Sequence, residues 1–241
     1  MPERKDIHNS DVPIVCRACE ARHKGICGAL SGDELQRLSK HTVKRTAARK
    51  QELIHEEDEV HTYSNILSGA VKLTKLMPDG RQQIVGLQFA PDFLGRPFVS
   101  ESNFGAEVAA DVKLCTFPKD VLETMLADNP ELENRLLRQV LKELDEARRW
   151  MLVLGRMTAK EKVASFLSMI ADHIDPEHDD ESVTFELPLS RAEIADYLGL
   201  TIETVSRQFT ALRKDGVIEI EGNRHIVVSD REVLKDATGS G

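Results

Sequence analysis

The hydrophobic pattern of the chain changes from a period of two to a helical period near Pro118, and this change limits the fold most. Between residues 32 and 116, short alternating runs are separated by Gly and Asp, as in the run from Ala70 to Leu76 that precedes Asp79-Gly80. Alternation bounded by turn residues predicts antiparallel strands, and an Asp-Gly pair between two such runs predicts a hairpin. The sequence therefore predicts an α+β chain in which an antiparallel sandwich or barrel precedes a helical half.

A heptad pattern occupies the long helical segment that follows. Its apolar positions step by three and four residues: Leu137, Leu144 and Met151 at a, with Val140, Ala147 and Leu154 at d. Such spacing also occurs in helices that pack on their own domain. Charged flanks favour a seam between two chains, because in a parallel pair Glu143 at g of one helix would face Arg148 at e of the other. At about 2.5 heptads, the seam is expected to be marginal by itself.

The stretch from Leu187 to Val228 predicts a helix-turn-helix followed by a β wing. A capping box at Ser190 opens a short helix that ends at Gly199. Thr201 then caps a second helix, and a hairpin pattern follows it. This succession is typical of DNA-binding modules: a short helix, a turn at a Gly, a second capped helix and a β wing. The alternative is an ordinary helical hairpin with a polar face.

The second of these helices carries the candidate DNA-reading side chains. Val205, Phe209 and Leu212 share one face, which is expected to pack inward. Arg can bind guanine in bidentate fashion, Glu can accept from cytosine N4, and Ser can contact a base edge or a phosphate. The candidates for DNA contact are Thr201, Glu203, Ser206, Arg207, Gln208 and Arg213.

The cysteines are unevenly distributed. Cys16, Cys19 and Cys27 lie near the N-terminus, whereas Cys115 is alone in mid-chain. Their spacing permits tetrahedral zinc with His23 as a local fourth ligand, an iron–sulfur cluster completed by Cys115, or a redox dithiol. Taken alone, Cys115 is most simply a small buried apolar residue, as most free cysteines are. Spacing does not decide among these sites.

The composition is that of a soluble globular protein rather than of a strongly basic nucleic-acid binder. The net charge is −9, but residues 172–186 hold seven of the 41 acids and no Lys or Arg, which predicts one solvated acidic loop. DNA binding depends on local positive charge, so an acidic total does not exclude it. No apolar run approaches the roughly 20 residues that span a bilayer, and the N-terminus has no signal-peptide pattern. A cytoplasmic protein with reduced cysteines is expected.

These features together resemble the CRP/FNR family of regulators along almost the whole chain. A predicted antiparallel β half, a long helix with a heptad pattern and a winged helix-turn-helix follow one another in the order found in the family. Cys16, Cys19 and Cys27 with distant Cys115 resemble the FNR branch, as does the stretch from Glu203 to Arg207, which matches an E-x-x-S-R pattern. The seven-residue gap between Cys19 and Cys27 is longer than in some members of that branch.

The resemblance implies four regions. They are a cysteine-bearing segment at residues 1–29, a cupin-like antiparallel β-barrel sensor domain at 30–128, a dimerisation helix at 129–157 and a winged helix-turn-helix domain at 158–241.

The resemblance also implies a function. It is that of an oxygen-sensing activator of anaerobic and microaerobic genes, dimeric while a [4Fe–4S] cluster on the four cysteines is intact. The homodimer would read TTGAT-like half-sites of a palindromic DNA operator and act on RNA polymerase. CRP-type pockets hold a cyclic phosphate with a Gly-Glu and an Arg-Ser or Arg-Thr pair. The stretch 92–108 offers Arg96 without those partners, so no cyclic nucleotide is expected.

Other functional classes are less consistent with the residues. The same fold could carry a structural zinc or a thiol redox switch in place of the cluster. An electron carrier would leave the helix-turn-helix without a role. We find no nucleophile–base set and no phosphate loop in the sequence, so no enzyme is predicted.

Overall fold

The computed structural model describes residues 12–17, 19–176 and 181–239. The chain folds into two compact units. The first comprises Met1–Arg81 and Val85–Leu144, and the second comprises Gln82–Ile84 and Asp145–Gly241. Among the described residues, no helix is both long enough and apolar enough to cross a membrane.

The first unit begins with short helical turns and continues as a sheet. Its elements are α1 (Ile14–Arg17), α2 (Glu20–His23), a 3₁₀ turn (Ile26–Ala29), α3 (Gly32–Ser39), β1 (Val43–Ala47), β2 (Glu52–Ile54), β3 (Thr62–Leu76), β4 (Gln82–Phe89), β5 (Phe93–Leu94), β6 (Gly105–Pro118) and α4 (Lys119–Asp128). Helix α5 (Pro130–Arg156) follows and is 27 residues long.

The sheet is antiparallel and is built around β3 and β6. Its strand order is β1-β6-β3-β4, with β2 paired to β6 and β5 paired to β3. The predicted α+β fold with an antiparallel β domain is confirmed. The sheet is not a closed barrel, since no ladder joins β1 to β4 in the described chain. Three register shifts between Ile66 and Val71 interrupt the long ladder. Such irregularities bend and twist paired strands, so the sheet curls into a jelly-roll-like form without closing.

The cysteine-bearing segment belongs to the core of the first unit. One apolar cluster unites residues of that segment, of α3, of the sheet and of the start of α5, among them Ile26, Cys27, Leu35, Phe117, Leu132 and Leu136. A second cluster, which includes Ile66, Val71 and Val108, fills the interior of the sheet. The first turns of α5 are therefore packed against the same core as Cys27.

The second unit is a helical domain with a small sheet. After the C-terminal part of α5 it contains α6 (Ala159–Ile174), β7 (Val183–Glu186), α7 (Arg191–Leu198), α8 (Ile202–Lys214), β8 (Glu219–Glu221), β9 (His225–Val228) and α9 (Arg231–Asp236). Capping boxes are present at Ser190 and at Thr158, and Gly199 closes α7 in the left-handed conformation with φ +62°. The Ser190 cap and the Gly199 stop agree with the predicted start and end of α7.

The acidic stretch 172–186 differs in part from the predicted loop. Asp172 lies in α6, and Val183–Glu186 forms a strand that pairs with β9, so the wing sheet has the order β7-β9-β8. Val183 and Phe185 are buried while Thr184 and Glu186 are exposed. This alternation is a strand signal, which the charge run concealed. The part of the predicted loop at 177–180 lies outside the described residues.

Candidate functional site

The structure brings the four cysteine side chains to one cavity. Cys16 lies in α1, Cys19 precedes α2, Cys27 lies in the 3₁₀ turn and Cys115 lies on β6. All four line a cavity of about 260 Å³ in the first unit. The long-range approach of Cys115 to the N-terminal trio, which sequence spacing alone left open, is therefore present in the fold.

Two strand residues beside Cys115 also line this thiol cavity. In the sheet register, Cys115 is the direct partner of Lys44 on β1 and of Asn65 on β3. Directly opposed residues place their side chains on the same face of a sheet. The Asn65 amide Nδ2 donates a hydrogen bond to the Cys27 Sγ at 3.3 Å. Asn65 is buried, and its Oδ1 has no hydrogen-bond partner within the described chain. Neither residue was predicted from the sequence. A buried Asn in a strand indicates a specific hydrogen-bonding role, because buried polar groups are normally hydrogen-bonded.

Burial raises the pKa of Cys16, Cys27 and Cys115 and so favours their neutral forms. Burial first, and then the neighbouring Cys115, Cys19 and Cys16 thiols, raise the pKa of Cys27 to about 12. Burial and the Cys19 and Cys16 thiols raise the pKa of Cys115 to about 11. Burial followed by Cys19 raises the pKa of Cys16, although Arg22 and Lys44 oppose that rise. Holding four thiolates side by side would therefore require additional positive charge, such as a bound metal centre would supply.

The donor groups around the cavity can be compared with the needs of each candidate centre. Tetrahedral zinc needs four ligands at about 2.0–2.3 Å from one point. In the described ranges, no three His, Cys, Asp or Glu side chains are arranged to hold a metal ion. The His23 Nε2 lies 3.4 Å from the carbonyl oxygen of Arg17, and His23 does not line the cavity. Four cysteine thiols line this cavity of about 260 Å³, and sets of four cysteine thiolates are the ligands that hold iron–sulfur clusters.

Helix α5 has one buried and one exposed apolar face. Leu132, Leu136 and Val153 are buried, a stripe that sequence reasoning missed. The six predicted seam residues, by contrast, are all exposed: Leu137, Val140, Leu144, Ala147, Met151 and Leu154. The exposed fraction of the larger ones runs from 39% at Leu154 to 74% at Met151. A run of large apolar side chains left in water is typical of a surface that binds another chain.

Helix α8 presents the predicted polar face. Val205, Phe209 and Leu212 are buried as predicted. The candidates Thr201, Glu203, Ser206, Arg207 and Arg213 are exposed, whereas Gln208 is half-buried.

Two polar contacts order the N-terminal turn of α8. The Thr201 hydroxyl accepts a hydrogen bond from the Thr204 N–H at 3.2 Å, and the Arg207 Nη2 donates to the Thr204 hydroxyl at 3.1 Å. Hydrogen bonds from its own backbone N–H and from the Thr201 side chain lower the pKa of Glu203. Glu203 is thus a charged acceptor at neutral pH.

A half-buried cation joins the two helices of this motif. The Arg191 guanidinium lies over the Phe209 ring, with its Cζ 3.2 Å from the ring centroid. Burial lowers the pKa of Arg191 to about 10. This contact joins α7 to α8 and was not evident from the sequence, because no local pattern pairs Arg191 with Phe209.

The region in which a cyclic nucleotide would bind carries different groups. Arg96 is exposed, and its carbonyl oxygen accepts a hydrogen bond from Tyr63 at 3.3 Å. Between β3 and β6, the Lys72 ammonium and the Glu107 carboxylate form an ion pair at 2.9 Å, with the Lys72 side chain 8% exposed. A buried ion pair at this position places charge inside the sheet domain.

Comparison with known proteins places the chain among transcription regulators. A Crp-like helix-turn-helix domain matches residues 161–237, and a cyclic nucleotide-binding domain matches residues 44–129. A probable transcriptional activator of Rhizobium leguminosarum bv. viciae is 55% identical over 96% of both chains. The transcriptional activator protein FnrL of Cereibacter sphaeroides is 40% identical over 95% of both chains. The structure of FixK2 from Bradyrhizobium japonicum matches 83% of this chain and 98% of its own, with 30% identity and a TM-score of 0.74.

Proposed function

The chain belongs to the CRP/FNR family of transcription regulators, and we propose that it is an oxygen-sensing activator with a [4Fe–4S] cluster on Cys16, Cys19, Cys27 and Cys115. One observation carries the proposal: four cysteines from separate elements, one of them remote in sequence, line a single cavity. The printed names of the relatives, which are transcriptional activators, support the functional class.

The residues around the thiol cavity suit such a centre. When bound, the cluster supplies oxygen-reactive iron and sulfide held by four thiolates. Asn65 donates a hydrogen bond toward the Cys27 sulfur, which stabilises the thiolate form. Lys44 and Arg22 line the cavity and provide positive charge near the sulfurs. Hydrogen bonds to the sulfurs and solvent exposure are the factors by which a protein adjusts the potential of such a centre.

The exposed seam of α5 is the proposed homodimer interface. Pairing two copies would bury the six exposed seam residues in a parallel coiled coil, and two recognition helices would then lie about one DNA turn apart. The seam is short, so dimerisation is expected to depend on whether the cysteine-bearing segment is held in place. A change of about 2–3 kcal/mol in dimerisation would alter the association constant roughly 30- to 150-fold.

The exposed N-terminal residues of α8 are the proposed base-reading group. Glu203, Ser206 and Arg207 would read TTGAT-like half-sites in a palindromic operator. Thr201, Gln208 and Arg213 would complete the contact surface, and RNA polymerase is the proposed protein partner. No cyclic nucleotide is proposed as a ligand, because Arg96 points to solvent and Lys72 is paired with Glu107 inside the sheet.

Metal analysis of anaerobically purified protein tests the proposed centre. We expect about four iron and about four sulfide per chain, with the broad visible absorption of an iron–sulfur protein. One zinc per chain without colour, or protein without metal, would instead favour the same fold with a structural zinc or a thiol switch, and would refute the cluster.

Replacing Arg207 with Ala is expected to remove discrimination at one G·C pair of the half-site. Loss of a bidentate contact to guanine costs about 1–3 kcal/mol of specificity. Arg207 is exposed and bonded only locally to Thr204 in the described structure, so the fold should survive. The measurement is binding to target and base-substituted operators at one salt concentration.

Arg213→Ala serves as the matched control for that experiment. Arg213 is also exposed on α8 but lies in its last turn, away from the N-terminal base-reading group. Its loss should weaken all sequences equally, as expected for a phosphate contact. The assignment of Arg207 to base reading is wrong if Arg207→Ala weakens target and scrambled sites to the same extent.

A further inference from the structure

One side chain of helix α5 holds the cysteine-bearing loop by its backbone. The Arg135 Nε donates a hydrogen bond to the Gly25 carbonyl oxygen at 2.8 Å, and its Nη2 lies 3.2 Å from the His23 carbonyl oxygen. His23 ends α2, and Gly25 precedes the 3₁₀ turn that contains Cys27. A guanidinium placed on carbonyls at the end of a helix is a favourable electrostatic contact. The loop between Cys19 and Cys27 is thus attached to α5.

The packing at this contact leaves no room for a side chain at Gly28, the residue directly after Cys27. A Cβ added at Gly28 would lie 2.9 Å from the Arg135 Cζ and 2.8 Å from the Arg22 carbonyl oxygen. The guanidinium therefore lies against the backbone beside Cys27. Leu132 and Leu136 on the same stretch of α5 pack in the apolar cluster that contains Ile26 and Cys27. Any displacement of the loop changes the surroundings of these α5 turns.

The position of Arg135 in α5 connects the loop to the predicted seam. Leu136 is buried against the core, and the next residue, Leu137, is the first exposed seam position. Arg135 and Leu136 therefore contact the cysteine-bearing segment, and they lie only one or two residues before Leu137, where the proposed dimer surface begins. A contact that forms only when the loop is ordered can bias the start of α5 between two arrangements.

We propose, on the basis of the proposed function, that Arg135 is the positioning residue that transmits the occupancy of the thiol cavity to dimerisation. A centre bound by Cys19 and Cys27 holds the loop, and the loop carbonyls hold Arg135 and with it the first turns of α5. Releasing the cysteines frees the loop, removes both hydrogen bonds and loosens the beginning of the seam. Coupling is reciprocal, so dimerisation in turn stabilises the loop and protects the bound centre.

The test compares Arg135→Gln with the wild type, each with and without the bound centre. The measured quantity is the ratio of the dimer dissociation constants of the metal-free and metal-loaded chains, determined by anaerobic sedimentation. We expect Arg135→Gln to keep the wild-type iron content and the wild-type dimerisation of the metal-free chain, while the ratio falls at least about tenfold. A merely structural role would weaken both states equally and leave the ratio unchanged.

Arg138→Gln is the matched control. Arg138 is exposed one turn further along α5, and its Nε donates to Asn134 of the same helix. This variant should retain the wild-type ratio. A wild-type ratio in Arg135→Gln, or loss of iron from that variant alone, would overturn the proposal, because Arg135 would then act in folding or in cluster assembly. Absence of iron from the wild type would refute the proposed function itself. That result differs from the two outcomes above, which concern the Arg135→Gln variant alone.

Discussion

Replacing Cys115 with Ser is expected to abolish iron loading and anaerobic operator binding while the chain stays folded. Cys115 is the strand residue that contributes a thiol to the cavity, and its direct partners on the neighbouring strands are Lys44 and Asn65. Ser is close to Cys in size, and the site is only partly buried, so the strand pairing is retained. The hydroxyl does not replace a thiolate ligand. Iron content, visible absorption and operator binding are measured without air, and binding should fall roughly 30-fold or more.

Ser39→Ala is the control for this variant. Ser39 lines the same cavity without being a thiol, and its hydroxyl donates to the Gln36 carbonyl oxygen within α3. It should load iron like the wild type. Normal cluster absorbance in Cys115→Ser would remove Cys115 from the ligand set, and an unfolded Cys115→Ser chain would be recognised by its loss of circular dichroism.

Replacing Ala147 with Asp is expected to leave the protein monomeric even without oxygen. Ala147 is exposed in the single chain, so the new carboxylate costs the monomer only a helix-propensity difference of about 0.5–0.7 kcal/mol. In the proposed dimer, two carboxylates would meet at a d position and lose water without a partner. Sedimentation should show a dimer weakened at least about 100-fold, at unchanged iron content.

Lys142→Asp is the corresponding control. It places the same carboxylate on an exposed position of α5, at f of the heptad and away from the seam. We expect it to dimerise like the wild type. An anaerobic dimer of normal strength in Ala147→Asp would show that the a/d residues of α5 are not the interface.

Local patterns in the sequence predicted most of the helical half of the fold. The caps at Ser190 and Thr201, the left-handed Gly199 and the inward face of α8 follow from residue chemistry over a few positions. The strand β7 was missed because seven acids masked the alternation of two apolar residues. Closure of the sheet is a long-range property of ladder register, which no local pattern specifies.

The candidate site was predictable in its cysteines but not in their surroundings. The sequence placed three thiols together, and only the fold shows that Cys115 lines the same cavity. Asn65 and Lys44 reach that cavity through strand register, and Arg135 meets the cysteine loop across more than a hundred residues. Contacts of this kind depend on tertiary packing. The buried stripe of α5, seen at Leu136 and Val153, likewise requires the neighbouring core to be known.

The most direct test of the central claim follows one anaerobic sample while air is admitted. Visible absorption, sedimentation and operator binding are recorded at each oxygen dose, with the protein concentration near the dimer dissociation constant. We predict that absorption, dimer and operator complex decline together, and that Ala147→Asp loses its absorption without ever forming a dimer. A sample that loses all iron–sulfur absorption yet remains dimeric and bound to its operator would contradict the account.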